Sequence, residues 1–148
     1  MISIEREQVF PTPVEHGFQF ITDIDNWRSY WPGLVRVDPG SLWRTPGDQA
    51  RVTLRLFGRE VELTMTLREF VPNQRVIYDS VQRNLPNARH ERHFRPVEGG
   101  FSYRILVEYE PRAGIRGLFD RSAVRRGVDR AVQETLLSLE RLLVPPRS

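Results

Sequence analysis

The hydrophobic pattern at the start of the chain predicts a strand. Apolar and charged residues mix in an extended-looking run from Ile2 to Phe10. The run is closed by Pro11-Thr12-Pro13, where proline has no N–H group to donate to a neighbouring strand. We therefore predict a first strand that ends at Phe10.

A short helix is predicted directly after this strand. Thr12 precedes Pro13, and Glu15 stands three residues after Thr12. This is the pattern of a helix N-cap with proline at the first helical position and a capping-box partner. The helix should cover about residues 14–22 and bury one apolar face, formed by Val14, Phe18 and Ile21.

A second short helix is predicted between an acidic cap and a stop. Asp23 and Asp25 supply the cap, and Pro32-Gly33 supplies the stop. The spacing i, i+3, i+4 places Trp27, Tyr30 and Trp31 on one face of this helix.

From Leu34 to Tyr109 the period of the pattern changes to two, which is typical of strands with one buried face. Alternate positions are apolar from Val52 to Leu56 and from Val61 to Leu67. Further strands are indicated at 75–82, 89–97 and 101–110, with short turns at Pro72-Asn73, Pro86-Asn87 and Gly99-Gly100. Such short turns predict an antiparallel meander.

The longest helical pattern lies at the C-terminal end, over about residues 117–144, and Pro145-Pro146 stops it. The opposite, polar face of this helix carries Arg126, Arg130, Glu134 and Arg141. No repeat or linker interrupts the chain, so we expect one domain over residues 1–148. The predicted apolar face comprises Val124, Val128, Ala131, Val132, Thr135, Leu139, Leu142 and Leu143.

This order of elements resembles the helix-grip, START-like (SRPBCC) superfamily, and particularly its polyketide cyclase/dehydrase and lipid-transport branch. The resemblance covers the whole chain and is carried by the opening VFPTPVEHGFQFITDIDNWRSYWPGL and the terminal GLFDRSAVRRGVDRAVQETLLSLERLL. It implies an α+β fold in which a curved seven-stranded antiparallel sheet grips the last helix. It also implies a cavity between them for lipids, polyketides or other apolar molecules. Function must still be argued from the site, because the superfamily includes both carriers and enzymes.

Composition limits the chemistry that the chain can perform. The chain has 148 residues and no cysteine, which excludes disulfides, thiolate nucleophiles and thiolate metal sites. It has no apolar run near the roughly 20 residues of a spanning helix and no signal-peptide pattern after Met1, so we expect a cytoplasmic protein. All 22 basic residues are arginine, which we interpret as a codon bias of a GC-rich bacterial genome.

Charge gives little support to a nucleic-acid partner. The net charge is only +3, although the pI is about 9.9. Arg121, Arg125, Arg126 and Arg130 make the start of the last helix basic, but Asp120, Asp129 and Glu134 balance them. An RNA site would interleave exposed aromatics with the basic residues, and only Phe119 is near. A protein, lipid-headgroup or RNA partner for this face is therefore a minor alternative.

Motifs for metals, nucleotides and nucleophilic catalysis are absent from the sequence. His90 and His93 fall on opposite faces of a strand, and His16 is distant, so we expect no metal ion. There is no Gly-x-Ser-x-Gly elbow, and Gly99-Gly100 indicates a hairpin rather than a phosphate loop. We expect no cofactor.

The strand that contains His90 and Arg92 carries the most informative polar residues. Two phases are possible, and the phase that places Ala88, His90, Arg92 and Phe94 inward buries fewer charges. It leaves one guanidinium facing a mostly apolar interior. Either Arg92 reaches water at the cavity mouth, or it anchors an anionic or carbonyl-bearing ligand.

Tyrosines and tryptophans supply the other candidate contacts. Tyr103 and Tyr109 should point inward, where each hydroxyl needs a partner from a ligand, from water or from the backbone. The aromatic face of the second short helix either packs as plain core or walls the cavity entrance. Trp43 is expected at the surface or at the rim.

The leading hypothesis is a protein that binds a hydrophobic, in some cases anionic, small molecule. The runner-up is a cyclase- or dehydratase-type enzyme in which His90 or Tyr103 acts as acid or base and Arg92 polarises a carbonyl. The oligomeric state is left open. The predicted ligand contacts are Trp27, Tyr30, Trp31, Val52, Leu54, Leu56, Leu63, Met65, Leu67, His90, Arg92, Tyr103, Ile105, Val128 and Val132.

Overall fold

The computed structural model describes residues 2–56, 58–82, 87–110 and 121–144, and for residues 56 and 121–123 it describes only the backbone. Within these ranges the chain forms seven strands and three α-helices. In chain order they are β1 (Ile2–Phe10), α1 (Val14–Thr22), a 3₁₀ turn (Ile24–Asn26), α2 (Trp27–Tyr30), β2 (Leu34–Val37), β3 (Gln49–Leu56), β4 (Arg59–Val71), β5 (Arg75–Val81), β6 (Ala88–Val97), β7 (Gly100–Tyr109) and α3 (Arg121–Leu142).

The strands form one curved antiparallel sheet in the order β1-β7-β6-β5-β4-β3-β2. Strands β2 to β7 are a meander, and β1 joins it by pairing with β7 along its whole length, from Ile2 opposite Tyr109 to Phe10 opposite Phe101. The predicted α+β helix-grip fold is confirmed. The predicted bounds of β5, β6 and β7 agree with the structure to within a residue, whereas β3 and β4 extend beyond their alternating segments.

The start of α1 differs from the prediction. Pro13 occupies the N-cap position, and no side chain caps the helix. Thr12 is buried, and its hydroxyl donates to the carbonyl oxygen of Leu143 at 2.9 Å. The capping box is therefore wrong, because Thr12 satisfies a carbonyl just beyond the end of α3 instead of an N–H at the start of α1.

Close packing holds α1 against the start of β7. Gly17 faces the ring of Phe101, and the ring occupies the place that a Cβ at residue 17 would need. The hairpin between β6 and β7 turns at Gly99, whose φ is +80°, a conformation that favours glycine. The predicted Gly99-Gly100 hairpin is thus present.

Helix α3 lies across the sheet and is bonded to β1. Arg6 donates from Nε and Nη2 to the carboxylate of Asp129 at 2.8 and 3.0 Å, and Gln8 donates to Glu140 at 3.4 Å. The predicted apolar face of α3 needs one correction, because Leu142 is 42% exposed and Leu136 is buried in its place. Leu136 lies closer than Leu142 to the direction shared by Leu139 and Leu143 around the helix axis.

The model describes α3 from residue 121. The first part of the predicted helix, residues 117–120, and Pro145-Pro146 lie outside the described residues. Within the described ranges, no helix is long and apolar enough to cross a membrane.

Candidate functional site

A cavity of about 420 Å³ lies between the inner face of the sheet and α3. The segment from the end of α1 to Pro32 forms one wall of it. A volume of this size suits a small organic molecule. The predicted contacts that line the cavity are Trp27, Tyr30, Trp31, Leu54, Leu63, Met65, His90, Arg92, Tyr103, Ile105, Val128 and Val132.

Two predicted contacts whose side chains are described do not line the cavity. Val52 and Leu67 are buried in the core and do not line the cavity. The loop before β3 covers Leu67, whose backbone exchanges hydrogen bonds of 2.8 Å with Gly47 and Asp48. The side chain of Leu56 lies outside the described residues.

Trp43 was expected at the surface or at the rim of the cavity, and it is not at the surface. It is only 4% exposed and lies in the cavity wall, in the loop between β2 and β3. Its ring packs edge-on against Trp27 at 5.5 Å and against Tyr78 at 5.2 Å between centroids. No periodic signal in the sequence indicated this burial, because an irregular loop has no repeating inward face.

The aromatics of α2 are fixed by one backbone carbonyl. Trp27 donates from Nε1 to the carbonyl oxygen of Ile21 at 3.1 Å, and the hydroxyl of Tyr30 donates to the same oxygen at 2.6 Å. Ile21 is in the last turn of α1, where helix carbonyls lack partners within the helix. Trp27 and Tyr30 thus close one end of the cavity as rigid side chains with their polar atoms satisfied.

Arg92 on β6 lies in the cavity wall with Ala88, His90 and Phe94, the inward phase that buries fewer charges. Its Nη2 donates to the hydroxyl of Tyr78 at 3.1 Å, and its Nη1 donates to the carbonyl oxygen of Glu91 at 3.2 Å. Burial lowers the pKa of Arg92, but the oxygens of Tyr78, Tyr103 and Tyr30 raise it by more. The side chain is therefore a cation at neutral pH.

His90 stands beside this cation as a neutral ring. Its Nε2 is 2.9 Å from Oγ of Ser80, and its ring stacks on Tyr78 with centroids 4.4 Å apart. Burial, and then the charge of Arg92, hold the pKa of His90 well below its usual value. Among the residues that the structure describes, the buried Nδ1 has no hydrogen-bond partner.

Tyr103 on β7 completes the polar part of the wall. It is 2% exposed and lies close to Arg92. Burial raises its pKa to about 12, with Arg92 acting in the opposite direction, so the phenol keeps its proton at neutral pH. Tyr78, Ser80, His90, Arg92 and Tyr103 form a polar patch within a mainly apolar wall. Tyr109 also lines the cavity.

Sequence analysis did not single out Tyr78 and Ser80, although the signal was present. They alternate with Ile77 and Asp79 on β5, and the register places Tyr78 opposite His90 and Ser80 opposite Ala88. Period two along β5, combined with the inward phase of β6, would have placed both in the cavity.

Other predicted features lie outside this patch. Arg125 and Arg126 on α3 are exposed, Arg130 lies at the margin of the cavity, and the side chain of Arg121 is outside the described residues. In the described parts of the chain no group of three or more histidine, aspartate or glutamate side chains could hold a metal ion. His93 bonds to Glu91 at 2.9 Å on the outer face of the sheet.

The chain matches a protein-family model described as polyketide cyclase / dehydrase and lipid transport over residues 1–144. The chain belongs to this family. The match spans β1 to the end of α3, so it includes all the elements that form the cavity wall. No curated protein matches the chain significantly.

Solved structures of other proteins share the fold of this family member. A protein from Thermus thermophilus superposes with a TM-score of 0.79 at 18% identity over 95% of each chain. A START superfamily protein from Mycobacterium smegmatis has a TM-score of 0.77 at 10% identity, over 95% of this chain and 96% of that one. A protein in the dynemicin biosynthetic locus, DynU16, has a TM-score of 0.71 at 16% identity, over 95% of this chain and 46% of its own. At these identities the likeness concerns the fold alone.

Proposed function

We propose that this protein binds an apolar small molecule, such as a lipid, a polyketide or an aromatic compound, in the cavity between the sheet and α3. The observation that carries the proposal is a cavity of about 420 Å³ that side chains leave unfilled. Protein interiors are normally close-packed. The side chains around an unfilled apolar space of this size lose packing contacts, and this loss lowers the stability of the fold. A bound ligand would restore those contacts. Family membership supports the same function.

The three tryptophans of the chain, Trp27, Trp31 and Trp43, all line the cavity and provide the readout. Decan-1-ol is apolar, uncharged and does not absorb where tryptophan does. We expect a saturable change in tryptophan emission as decan-1-ol displaces water from the cavity. The emission of the unfolded chain in denaturant should not respond.

Two variants test whether decan-1-ol binds in the cavity. Val128→Phe adds bulk to the cavity wall, whereas Leu137→Phe adds a ring at a position of the same helix that is 58% exposed. The first variant should lose the response to decan-1-ol and the second should keep it. Equal responses in both variants, with both folded by circular dichroism, would place the bound alcohol outside the cavity and contradict the proposal.

The polar patch favours a second candidate, a cyclase- or dehydratase-type enzyme. Arg92 can polarise a carbonyl or stabilise an enolate, protonated Tyr103 can donate a proton, and neutral His90 can accept one. Their placement in one cavity is the observation that supports this candidate. The test is whether the protein releases water from a poly-β-keto substrate mimic. Release that is reduced in folded His90→Ala, Arg92→Met and Tyr103→Phe variants would favour an enzyme over a carrier.

A further inference from the structure

Among the described residues, the charges along the cavity wall have one sign. The charged side chains that line it are Arg55, Arg92 and Arg130, and no aspartate or glutamate of the described residues lines it. Arg55 is 3.9 Å from Glu60 and is largely exposed. Arg92 is the charge set into the polar patch, between Tyr78 and Tyr103.

Arg92 differs from its neighbours on the same strand. On the outer face of β6, Arg89 pairs with Glu91 at 3.4 Å and Arg95 pairs with Glu7 at 3.6 Å. Arg92 has no carboxylate within 4.0 Å among the described residues, and it donates to the carbonyl oxygen of Glu91 and to the hydroxyl of Tyr78. A guanidinium removed from bulk water without a counter-ion costs several kcal/mol, so an anion in the cavity would relieve that cost.

His90 supplies a second unsatisfied group beside the same charge. When Ser80 donates to Nε2, the ring proton is on Nδ1, which has no acceptor among the described residues. The ring is held by its stack on Tyr78, whose hydroxyl accepts from Arg92. Because Nδ1 of His90 is buried, the donors that can face the cavity are those of Arg92 and Tyr103, and no carboxylate of the described residues is there to receive them.

We propose that the cavity selects apolar carboxylic acids, with the ligand carboxylate bound by Arg92 and its neighbour Tyr103. This inference rests on the proposed function and specifies its ligand class. A guanidinium binds a carboxylate through parallel N–H···O bonds, and the low-dielectric wall strengthens the attraction. The apolar remainder of the acid would lie between the tryptophan end and α3.

The test compares decanoate with decan-1-ol, which share a chain length and differ in the charge of the head group. Tryptophan emission gives both dissociation constants at neutral pH and fixed salt. We expect decanoate to bind roughly tenfold to a hundredfold more tightly than the alcohol, the range for hydrogen bonds to a charged group. Arg92→Met should remove this preference by weakening decanoate while the alcohol binds as before.

Two further variants control for charge and folding. Arg95→Met removes the same charge from the outer face of the same strand, and it should keep the wild-type preference. Arg92→Lys keeps the charge without the planar fork, and it should retain part of the preference. Thermal unfolding verifies that each variant is folded.

The outcomes separate this inference from the proposed function. If decan-1-ol binds and decanoate binds no more tightly, the carboxylate assignment is wrong and the apolar cavity stands. If Arg92→Met and Arg92→Lys both keep the full preference, the anion is bound elsewhere and the assignment also fails. If neither ligand binds, cavity binding itself is contradicted.

Discussion

At the scale of single residues, His90 gives the protein a pH dependence that the sequence does not show. Burial and Arg92 lower the pKa of His90 in the folded protein, whereas the unfolded chain regains a value near 6.5. Below about pH 6.5 the unfolded state therefore binds more protons than the folded state. Folding stability should fall as the pH drops from there toward the folded pKa.

We expect the free energy of unfolding of the wild type to decrease by as much as about 1.4 kcal/mol per pH unit over this interval through His90 alone. His90→Gln removes the titrating ring, so its stability should depend less steeply on pH below about 6.5. Urea unfolding at several pH values measures both slopes. Parallel profiles for the two proteins would show that His90 is not held neutral by its surroundings.

The same residues show how much of the site could be predicted from the sequence. The inward phase of β6 could be predicted by counting the charged residues on its two faces, because burying an unpaired charge costs free energy. It did not reveal that the hydroxyl of Tyr78, rather than a carboxylate, accepts a hydrogen bond from Arg92. Trp43 was misplaced because burial of a loop residue is decided by the sheet beneath it and not by its neighbours in the chain.

At the scale of elements, period-two and helical patterns were sufficient to predict the described α-helices and strands, although no bounds were predicted for β2, which has only four residues. Their details depended on tertiary contacts. The hydroxyl of Thr12 matched a local capping pattern but bonds to Leu143, 131 residues away. Likewise, Leu136 and Leu142 are both leucines of α3. Their positions around the helix axis decide that Leu136 is buried and Leu142 is exposed.

That distinction predicts unequal costs for one substitution. Leu136→Ala should reduce the free energy of unfolding by about 2–5 kcal/mol, the range for truncating a buried leucine. Leu142→Ala removes the same atoms from a side chain that is 42% exposed and should cost less than about 1 kcal/mol. Urea unfolding compares the two variants. Similar losses, or a larger loss for Leu142→Ala, would contradict the rotation of α3 described above.

At the scale of the whole molecule, the core is closely packed at one end and contains the cavity at the other. Phe10, Phe18, Phe94 and Phe101 pack against one another near α1, with Phe18 and Phe94 only 4.9 Å apart between centroids. The cavity lies toward α2 and Trp43, beneath the middle of α3. The end that contains the cavity is therefore the part available to a ligand.

The most direct test of this account is native mass spectrometry of the protein as purified, with no ligand added. We predict the 17.4 kDa chain together with a discrete noncovalent adduct of a small apolar molecule. The adduct should dissociate on denaturation and be lost in Val128→Phe but kept in Leu137→Phe. An adduct of equal abundance in both variants, or a bare chain that also remains bare after incubation with decanoate and decan-1-ol, would contradict the claim that the cavity holds a ligand.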